Sequence, residues 1–458
     1  MRKILLIIAV FFISINKSKA QNRPIIYEFD ELPQTLLLNP GAEVGYQYHV
    51  GFPLLSGIST NIGITEVTIA DLFKKDGIDF NVKFRNALSR LTTNDYIQLH
   101  NQIEVLSGGM RLNEKNYLSA GFYSEIDMFA GIPKDILTLI NEGNAAYVNK
   151  SFYLSQTNIK AEALGVLHVG LTRKVNQKLT VGARMKIYSG VLNITSTGNL
   201  GTFTTRLGQD NIYTHYLNNI DLEINSSGLY NEQNTTVQAS TLIKRSFLGG
   251  NLGLGIDVGF TYKINEQTKL TASLLDLGFV SYSKDVRSGK IKGNYTFSGI
   301  EFQYDGNNVN YWGNLSDDFK AKVPREENRE SYTVMRPVKI NAAVKHSWGK
   351  TRKEEACYDM SYHEYYNNGV GAQFFSVIRP TGPKMALTGF YEKRLSTNFI
   401  GKLTYTVDDF SYSNIGLGIS TTIGKVNVYG AIDNLFNLPD ITNSNSSSFQ
   451  IGVNLIFR

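Results

Sequence analysis

The sequence predicts an all-β protein, a transmembrane antiparallel β-barrel of about 14 (14 to 16) strands with a short helix in one loop. Three observations carry that expectation. The C-terminal stretch alternates, with Phe449, Ile451, Val453, Leu455 and Phe457 on one face and Gln450, Gly452, Asn454, Ile456 and Arg458 on the other, which is the period of a strand. A last strand with an apolar row for lipid and a mixed row for a lumen is the strand that closes a barrel. Residues 1–20 read as a secretory signal peptide, with Arg2 and Lys3, an apolar core from Ile4 to Ile15, and Ser18-Lys19-Ala20 as a cleavage site. Beyond Ala20 no segment approaches the roughly 20 apolar residues of a spanning helix. The 41 Gly, 25 Phe and 26 Tyr fit half-apolar strands, aromatic girdles and tight turns. Together these place the expected protein in the outer membrane of a Gram-negative bacterium.

The formal charge of +6 belongs mostly to the leader. Arg2, Lys3, Lys17 and Lys19 leave with it, and removing these four from 46 basic residues leaves 42 against 40 acidic ones. The basic residues are scattered, so nucleic acid is not an expected partner. Cys357 is the single cysteine, which excludes an intramolecular disulfide.

The expected organisation is a signal peptide (1–20), an N-terminal segment (21–41) and the barrel (42–458). In the segment, Leu36-Leu-Leu-Asn-Pro-Gly41 carries a Pro and a Gly that argue against a strand interior. Val44, Tyr46, Tyr48, Val50 and Phe52 then alternate, followed across a turn by Ile58, Thr60, Ile62 and Ile64, and next by Ile78, Phe80, Val82 and Phe84. Further rows begin at Leu118, Ala161 and Leu179, and Leu252 to Ile264 gives seven alternating apolar positions. The later strands are Val338 to Trp348, Ala372 to Arg379, Lys384 to Arg394, Phe399 to Val407, Ile415 to Ile423 and Val426 to Asp433. Short polar turns at Asn113–Asn116, Asn176–Lys178, Asn265–Lys269, Ser396–Asn398 and Gly424-Lys425 contrast with long connections at 131–150, 198–245 and 284–336. That asymmetry is the one between periplasmic turns and extracellular loops. Pro133 to Gly143 is punctuated as a short amphipathic helix, and Thr68 to Lys75 as a second. An even strand number lets Val44–Phe52 pair with Phe449–Phe457.

The early Leu32-Pro-Gln-Thr-Leu-Leu-Leu-Asn-Pro-Gly41, the helix Pro133 to Asn144 and the terminal strand resemble a set of Bacteroidetes-type outer-membrane barrels. More distantly they resemble PorP/SprF-like proteins of type IX secretion and gliding, and FadL-type channels for hydrophobic compounds. Both wider groups carry Asn-Pro-Ala near the mature N-terminus; here Asn39 and Pro40 match and Gly41 replaces the Ala. The FadL resemblance implies that residues 21–41, with Asn39, Pro40 and Gly41 as the motif, form a hatch in the lumen.

Site chemistry is sparse. None of the six histidines makes a metal-ligand spacing. Gly-x-Ser-x-Gly is absent, so no enzyme activity, metal or cofactor is expected. Gly253-Leu-Gly-Ile-Asp-Val-Gly259 has the glycines of a dinucleotide loop but alternates with apolar residues as a strand does. Glycines on its inner face allow a second backbone to pack close. The inner faces given by alternation carry His49, His168, Arg184, Lys186, Asp257, Lys263, Lys339, Lys345, Lys402 and Arg458. These are wall charges paired with one another or, read functionally, a lining that favours anions. Two functions are expected from different classes: a plugged channel for small or hydrophobic molecules, and a non-transporting accessory of an envelope machine such as type IX secretion or gliding motility. The expected partners are outer-membrane lipid and the barrel-assembly machinery, with secretion or motility components added in the second reading.

Overall fold

In a computed structural model of the chain, which describes residues 25–208, 213–231, 233, 235–297, 325–352 and 364–457, one antiparallel sheet closes on itself as a 14-strand barrel. The expected signal peptide, the start of the N-terminal segment (21–24), Cys357 and Arg458 lie outside the described residues.

The first wall strand comes in two pieces, β1 (Tyr48–Gly51) and β2 (Ile58–Ile64), and both pair with β3 (Tyr96–Arg111). β4 (Asn116–Gly131) follows, β5 (Ser151–Tyr153) leaves the wall, and β6 (Ile159–Lys174) pairs directly with β4. After β7 (Leu179–Ser196), β8 (Leu200–Leu207) and β9 (Tyr213–Ser227) again leave it. The wall resumes with β10 (Asn251–Lys263) and β11 (Thr268–Tyr282). β12 (Val286–Phe297) and β13 (Arg325–Asn328) form the next excursion. β14 (Tyr332–Met335) and β15 (Lys339–Arg352) then pair with β11 one after the other. β16 (Glu364–Arg379), β17 (Gly382–Ser396), β18 (Phe399–Val407), β19 (Asn414–Ile423) and β20 (Val426–Ile432) continue hairpin by hairpin. β21 (Ser446–Phe457) pairs with β20 on one side and with β1 and β2 on the other, with Tyr48 opposite Phe457 and Ile58 opposite Ile451.

The alternation is inside-out. Along β21, Phe449 and Ile451 are exposed and Val453, Leu455 and Phe457 half-exposed, while Ser448, Gln450, Gly452, Asn454 and Ile456 are buried. Along β10, Leu252, Leu254, Ile256 and Val258 are exposed and Asp257 is fully buried. No helix among the described residues is long and apolar enough to cross a membrane.

One end carries short turns built on the same device. Asn113 Oδ1 accepts from the backbone N–H of Lys115 (3.0 Å) and Asn116 (2.9 Å). Asn176 Oδ1 does so from Lys178 (2.8 Å) and Leu179 (2.9 Å), and Asn265 Oδ1 from Gln267 (2.9 Å) and Thr268 (2.7 Å). An Asn at the first turn position satisfies the donors that the hairpin leaves free. The other end carries the long connections. Instead of irregular loops, 198–245 contains β8, β9 and a short helix, and 284–336 contains β12, β13 and β14. β5, β8, β9, β12 and β13 pair in that order as a sheet standing beyond the barrel.

Three expectations are corrected. The N-terminal segment contains a one-turn helix, α1 (Thr35–Leu38), and the next two helices, α2 (Ile69–Phe73) and α3 (Phe80–Arg90), lie between β2 and β3. Ile78, Phe80, Val82 and Phe84 therefore do not form a strand. Asp79 caps α3 by accepting from Asn81 N at 2.9 Å, and Phe84, Ala87, Leu88 and Leu91 supply the helical repeat that buries its inner face. The first strand starts at Tyr48, not Val44, because Tyr46 turns inward against Tyr117 and Ile456. A whole strand, β3, escapes the alternation reading because a bulge at Val105 shifts the register between Glu104 and Leu106. The predicted loop helix appears as α4 (Lys134–Glu142).

Closure through β21 generates a prediction. Removing residues 446–457 leaves three strands with unpaired edges and no heat-resistant barrel forms, because unmet backbone groups are not tolerated in hydrocarbon. Val453→Lys, outward on the same strand, costs about 2–4 kcal/mol at mid-bilayer and lowers the folded fraction. The gel shift between unheated and boiled samples in SDS measures both.

Candidate lumen site

The segment from Ile25 to Gly41 runs among inward-facing residues of most of the wall strands. Ile25 lies against Gly416 and Gly418 of β19. The Lys402 ammonium donates to the Tyr27 carbonyl and the Thr271 hydroxyl to Glu28. Lys269 reaches Glu28 at 2.7 Å and Asp30 at 2.6 Å, Lys345 reaches Asp30 at 3.3 Å and Glu392 at 2.9 Å, and Arg394 pairs with Glu31. Gln34 and Asn454 exchange amide hydrogen bonds (3.0 and 3.1 Å), and Gln34 Nε2 also donates to the Ser56 carbonyl at 2.8 Å. α1 has one turn, so nearly all of its carbonyls need outside donors. Arg184 donates to the Leu36 carbonyl at 2.8 Å and the Leu37 carbonyl at 2.7 Å, and Ser273 to the Leu38 carbonyl at 2.6 Å.

The Asn39-Pro40-Gly41 stretch is held the same way. Asn39 Nδ2 donates to the Phe260 carbonyl at 3.2 Å, and its Oδ1 accepts from Gly41 N at 2.9 Å. Thr172 donates to the Pro40 carbonyl at 2.7 Å and Thr261 to the Gly41 carbonyl at 2.8 Å. Two wall glycines make room for it. A Cβ on Gly182 would collide with the Pro40 carbonyl, and one on Gly259 with the Asn39 side chain. Gly253 and Gly255 have a different reason: their added Cβ atoms would meet the neighbouring strand and the Tyr188 ring.

Beside α1 the wall carries a connected set of buried ion pairs. Arg184 and Lys186 bind Asp257, the latter at 2.9 Å. Lys186 also binds Asp276 at 2.6 Å, and Lys339 binds Asp276 at 2.9 Å and Glu125 at 3.6 Å. Arg336 bridges Glu125 (2.8 Å) and Glu162, and Arg379 pairs with Asp127. Arg184, Lys186, Arg336, Lys339 and Arg379 thus face an equal number of carboxylates. A bulge places the network: Asp276 adopts φ 61°, and the register slips between Ile256 and Val258, so Leu275 and Asp276 both point inward. His100 Nδ1 lies 3.2 Å from Asp127 and 3.8 Å from Glu125. The ligand atoms of these three could meet at a metal, but both carboxylates already neutralise Arg336, Lys339 and Arg379.

Every sequence-predicted lumen residue except Arg458, which lies outside the described residues, can be placed. Arg184, Lys186, Asp257 and Lys339 belong to this network, and Lys345 and Lys402 contact the N-terminal segment. Lys263 is half-exposed at the turn end with Glu43 at 2.6 Å. His49 and His168 are buried in the wall, His49 Nδ1 at 2.5 Å from the Tyr117 hydroxyl and His168 beside Tyr123. The sequence reading named one carboxylate against seven cations. It missed Glu125, Asp127 and Glu162, which stand on the faces opposite Ile126, Met128 and Ala163, and Asp276, which the bulge conceals.

Two cavities between α1 and the wall hold about 20 Å³ each, room for about one water molecule. A larger cavity of about 640 Å³ opens at the loop end. Its floor is Arg336 and Arg379, and Met335 and Ile378 from the exposed outer face line it as well. It lies where β14 pairs with β11 alone and β16 pairs with β15 only as far up as Lys339.

Near the loop ends of β18 to β21, Asp408 and Asp433 are buried with Thr404, Asn414 and Ser448. Asp408 Oδ1 accepts from Phe410 N and Ser411 N at 2.9 Å each, and Asp433 Oδ2 accepts from Ser448 at 3.0 Å. Burial, with the Asp433 charge adding to it at Asp408, pushes each carboxyl up to about 7.

A family model described as a family of unknown function (DUF5723) matches residues 40–433. No curated protein sequence matches the chain. Solved structures similar to it include the Ralstonia pickettii toluene transporter TbuX, at 10% identity over 93% of this chain and 94% of that one, TM-score 0.40. A Pseudomonas aeruginosa FadL homologue matches at 9% identity over 96% and 97%, TM-score 0.44. The CymD monoaromatic hydrocarbon channel matches at 12% identity over 92% and 91%, TM-score 0.38.

The rim carboxyls give a pH dependence. Their folded pKa lies above the ordinary carboxyl value, so between about 4 and 7 the folded state binds more protons than the unfolded one and stability falls as pH rises. The slope is at most about 1.4 kcal/mol per pH unit for each carboxyl. Urea unfolding followed from pH 5 to 8 should show that loss, and Asp433→Asn should flatten it.

Proposed function

The chain belongs to DUF5723, a family of unknown function, and we propose that it is an outer-membrane channel whose lumen is closed by its own N-terminal segment. The molecules it admits are small and partly apolar. The observation that carries this reading is the loop-end cavity, in which outward apolar side chains (Met335, Ile378) and inward cations (Arg336, Arg379) line one space. A compound with an apolar body and a polar end fits that combination. Below it the way is blocked by α1 and the paired charges, so passage requires the segment to move. The network's balanced charges favour neither ion sign while the segment is in place.

A second reading keeps the barrel as a non-transporting accessory of an envelope machine, such as type IX secretion or gliding motility. Its support is the sheet of β5, β8, β9, β12 and β13, which extends a protein surface beyond the wall.

Single-channel recording separates the two. Wild-type protein in a planar bilayer should conduct little, and deletion of residues 21–41 should raise conductance. That deletion removes Glu28, Asp30 and Glu31, so Lys269, Arg394 and Lys402 lose partners from the segment and the opened pore should favour anions, less so at high salt. Gly182→Leu, which fills the space of the Pro40 carbonyl, should give part of the same increase. Conductance unchanged by both variants contradicts the channel and leaves the accessory reading.

A further inference from the structure

The connection from β2 to β3 breaks the ordinary rule for surface helices. α2 and α3 bury one face, with Val67, Ala87, Leu88 and Leu91 packed on Leu72, Phe84, Ile132 and Leu137. Yet they leave Ile69, Phe73, Ile78, Phe80 and Val82 exposed, Phe73 at 67%. Phe73, Phe80 and Phe84 line up with ring centroids 6.0 and 6.1 Å apart. α2 packs against the loop Leu435–Asn443 between β20 and β21, which adds Phe436, 74% exposed, and Ile441. A monomer that leaves this many large apolar side chains open has something to cover them.

What covers them is indicated by position and charge. β2 and β21 are neighbours in the wall, with Thr60 opposite Phe449, and Ile62 and Phe449 are exposed members of the outer apolar face. The patch therefore rises from the loop ends of strands whose outer face is apolar. Charged residues of both signs are interleaved with it: Lys74, Lys75 and Arg85 are exposed, and so are Glu66, Asp76, Asp79 and Asp440. Lys83 and Arg90 are held by Asp76 at 2.7 Å and Asp71 at 2.8 Å. Aromatic and aliphatic groups beside lysine and arginine are the composition of a segment that lies in a membrane interface.

We infer that α2, α3 and the loop Leu435–Asn443 form a foot that beds in the leaflet at the loop end of the barrel, with Phe73, Phe80 and Phe436 among the acyl chains and Lys74, Lys75 and Arg85 at anionic headgroups. The inference rests on reading the outer face of the barrel as lipid-covered. The foot sets the depth of the barrel and shields the seam at which its first and last strands join. The occupant is a lipid surface and not a second copy of the chain, because the strands from which the patch rises carry exposed apolar residues on the face that lipid covers.

Spin labelling tests this on the full chain. In a Cys357→Ser background, single cysteines replace Phe73, Phe80 and Phe436, with Leu254→Cys on the outer wall and Glu266→Cys at a turn as references. Each labelled protein is reconstituted into vesicles of phosphatidylethanolamine and phosphatidylglycerol, and variants that fail the unheated-gel test for folding are replaced by Ile69→Cys and Ile441→Cys. Labels on the foot should be reached by oxygen more than by a water-soluble nickel complex, as at Leu254 and unlike Glu266. Nickel access at the foot with oxygen preference kept at Leu254 overturns the inference and leaves the barrel reading intact. Loss of oxygen preference at Leu254 as well overturns the barrel reading itself. Spin–spin broadening between copies at Phe73 and Phe436 assigns the patch to a dimer and also overturns the inference.

Discussion

Inward-pointing polar groups in a narrow barrel must find partners inside it, and here they find them in the protein's own N-terminal segment. Arg184 concentrates the requirement. Its guanidinium binds Asp257 and also donates to the carbonyls of Leu36 and Leu37, so one side chain neutralises a buried carboxylate and fixes the helical turn α1. A buried charge stripped of its partner typically costs about 3–5 kcal/mol. The segment, in turn, satisfies only part of its backbone through α1 and a run of turns, and Thr172, Thr261 and Ser273 provide further donors. Wall and segment are each incomplete alone.

Geometry follows from that dependence. Strict alternation sets Glu125 and Asp127, and Arg184 and Lys186, on the inner face, and two irregularities add to them. The bulge at Asp276 and the break at Pro337 between β14 and β15 place Leu275 and Asp276 together, and Arg336 and Lys339 close, on the inner side. Gly182 and Gly259 do the opposite, removing side chains where the segment's backbone presses on the wall.

Much of this was legible in the sequence, and the failures have physical causes. The period of two located β10, β21 and most hairpins because each has one face in contact with protein and one facing out. Phe80 and Val82 imitated that period, and the decisive marks of α3, the Asp79 cap and the repeat Phe84, Ala87, Leu88 and Leu91, lay beside them. β3 was lost to its bulge at Val105. For the site, alternation placed Arg184, Lys186, Asp257 and Lys339 on the inner face, but a charge's partner four or five strands away leaves no trace in local order. The link from Arg336 to Glu125 and Glu162 depends on barrel closure, and so does the neutrality of the network, which a tally of inward lysines leaves open between paired wall charges and an anion-favouring lining.

Hydrogen exchange of the backbone amides in residues 34–43, compared between wild type and Arg184→Met in detergent, tests the mutual dependence most directly. The wild-type segment should exchange as slowly as the amides of β7 and β10. Arg184→Met should expose the segment to fast exchange while the strands of the wall stay protected. Fast exchange of the segment in the wild type, or protection unaffected by the substitution, would contradict the account.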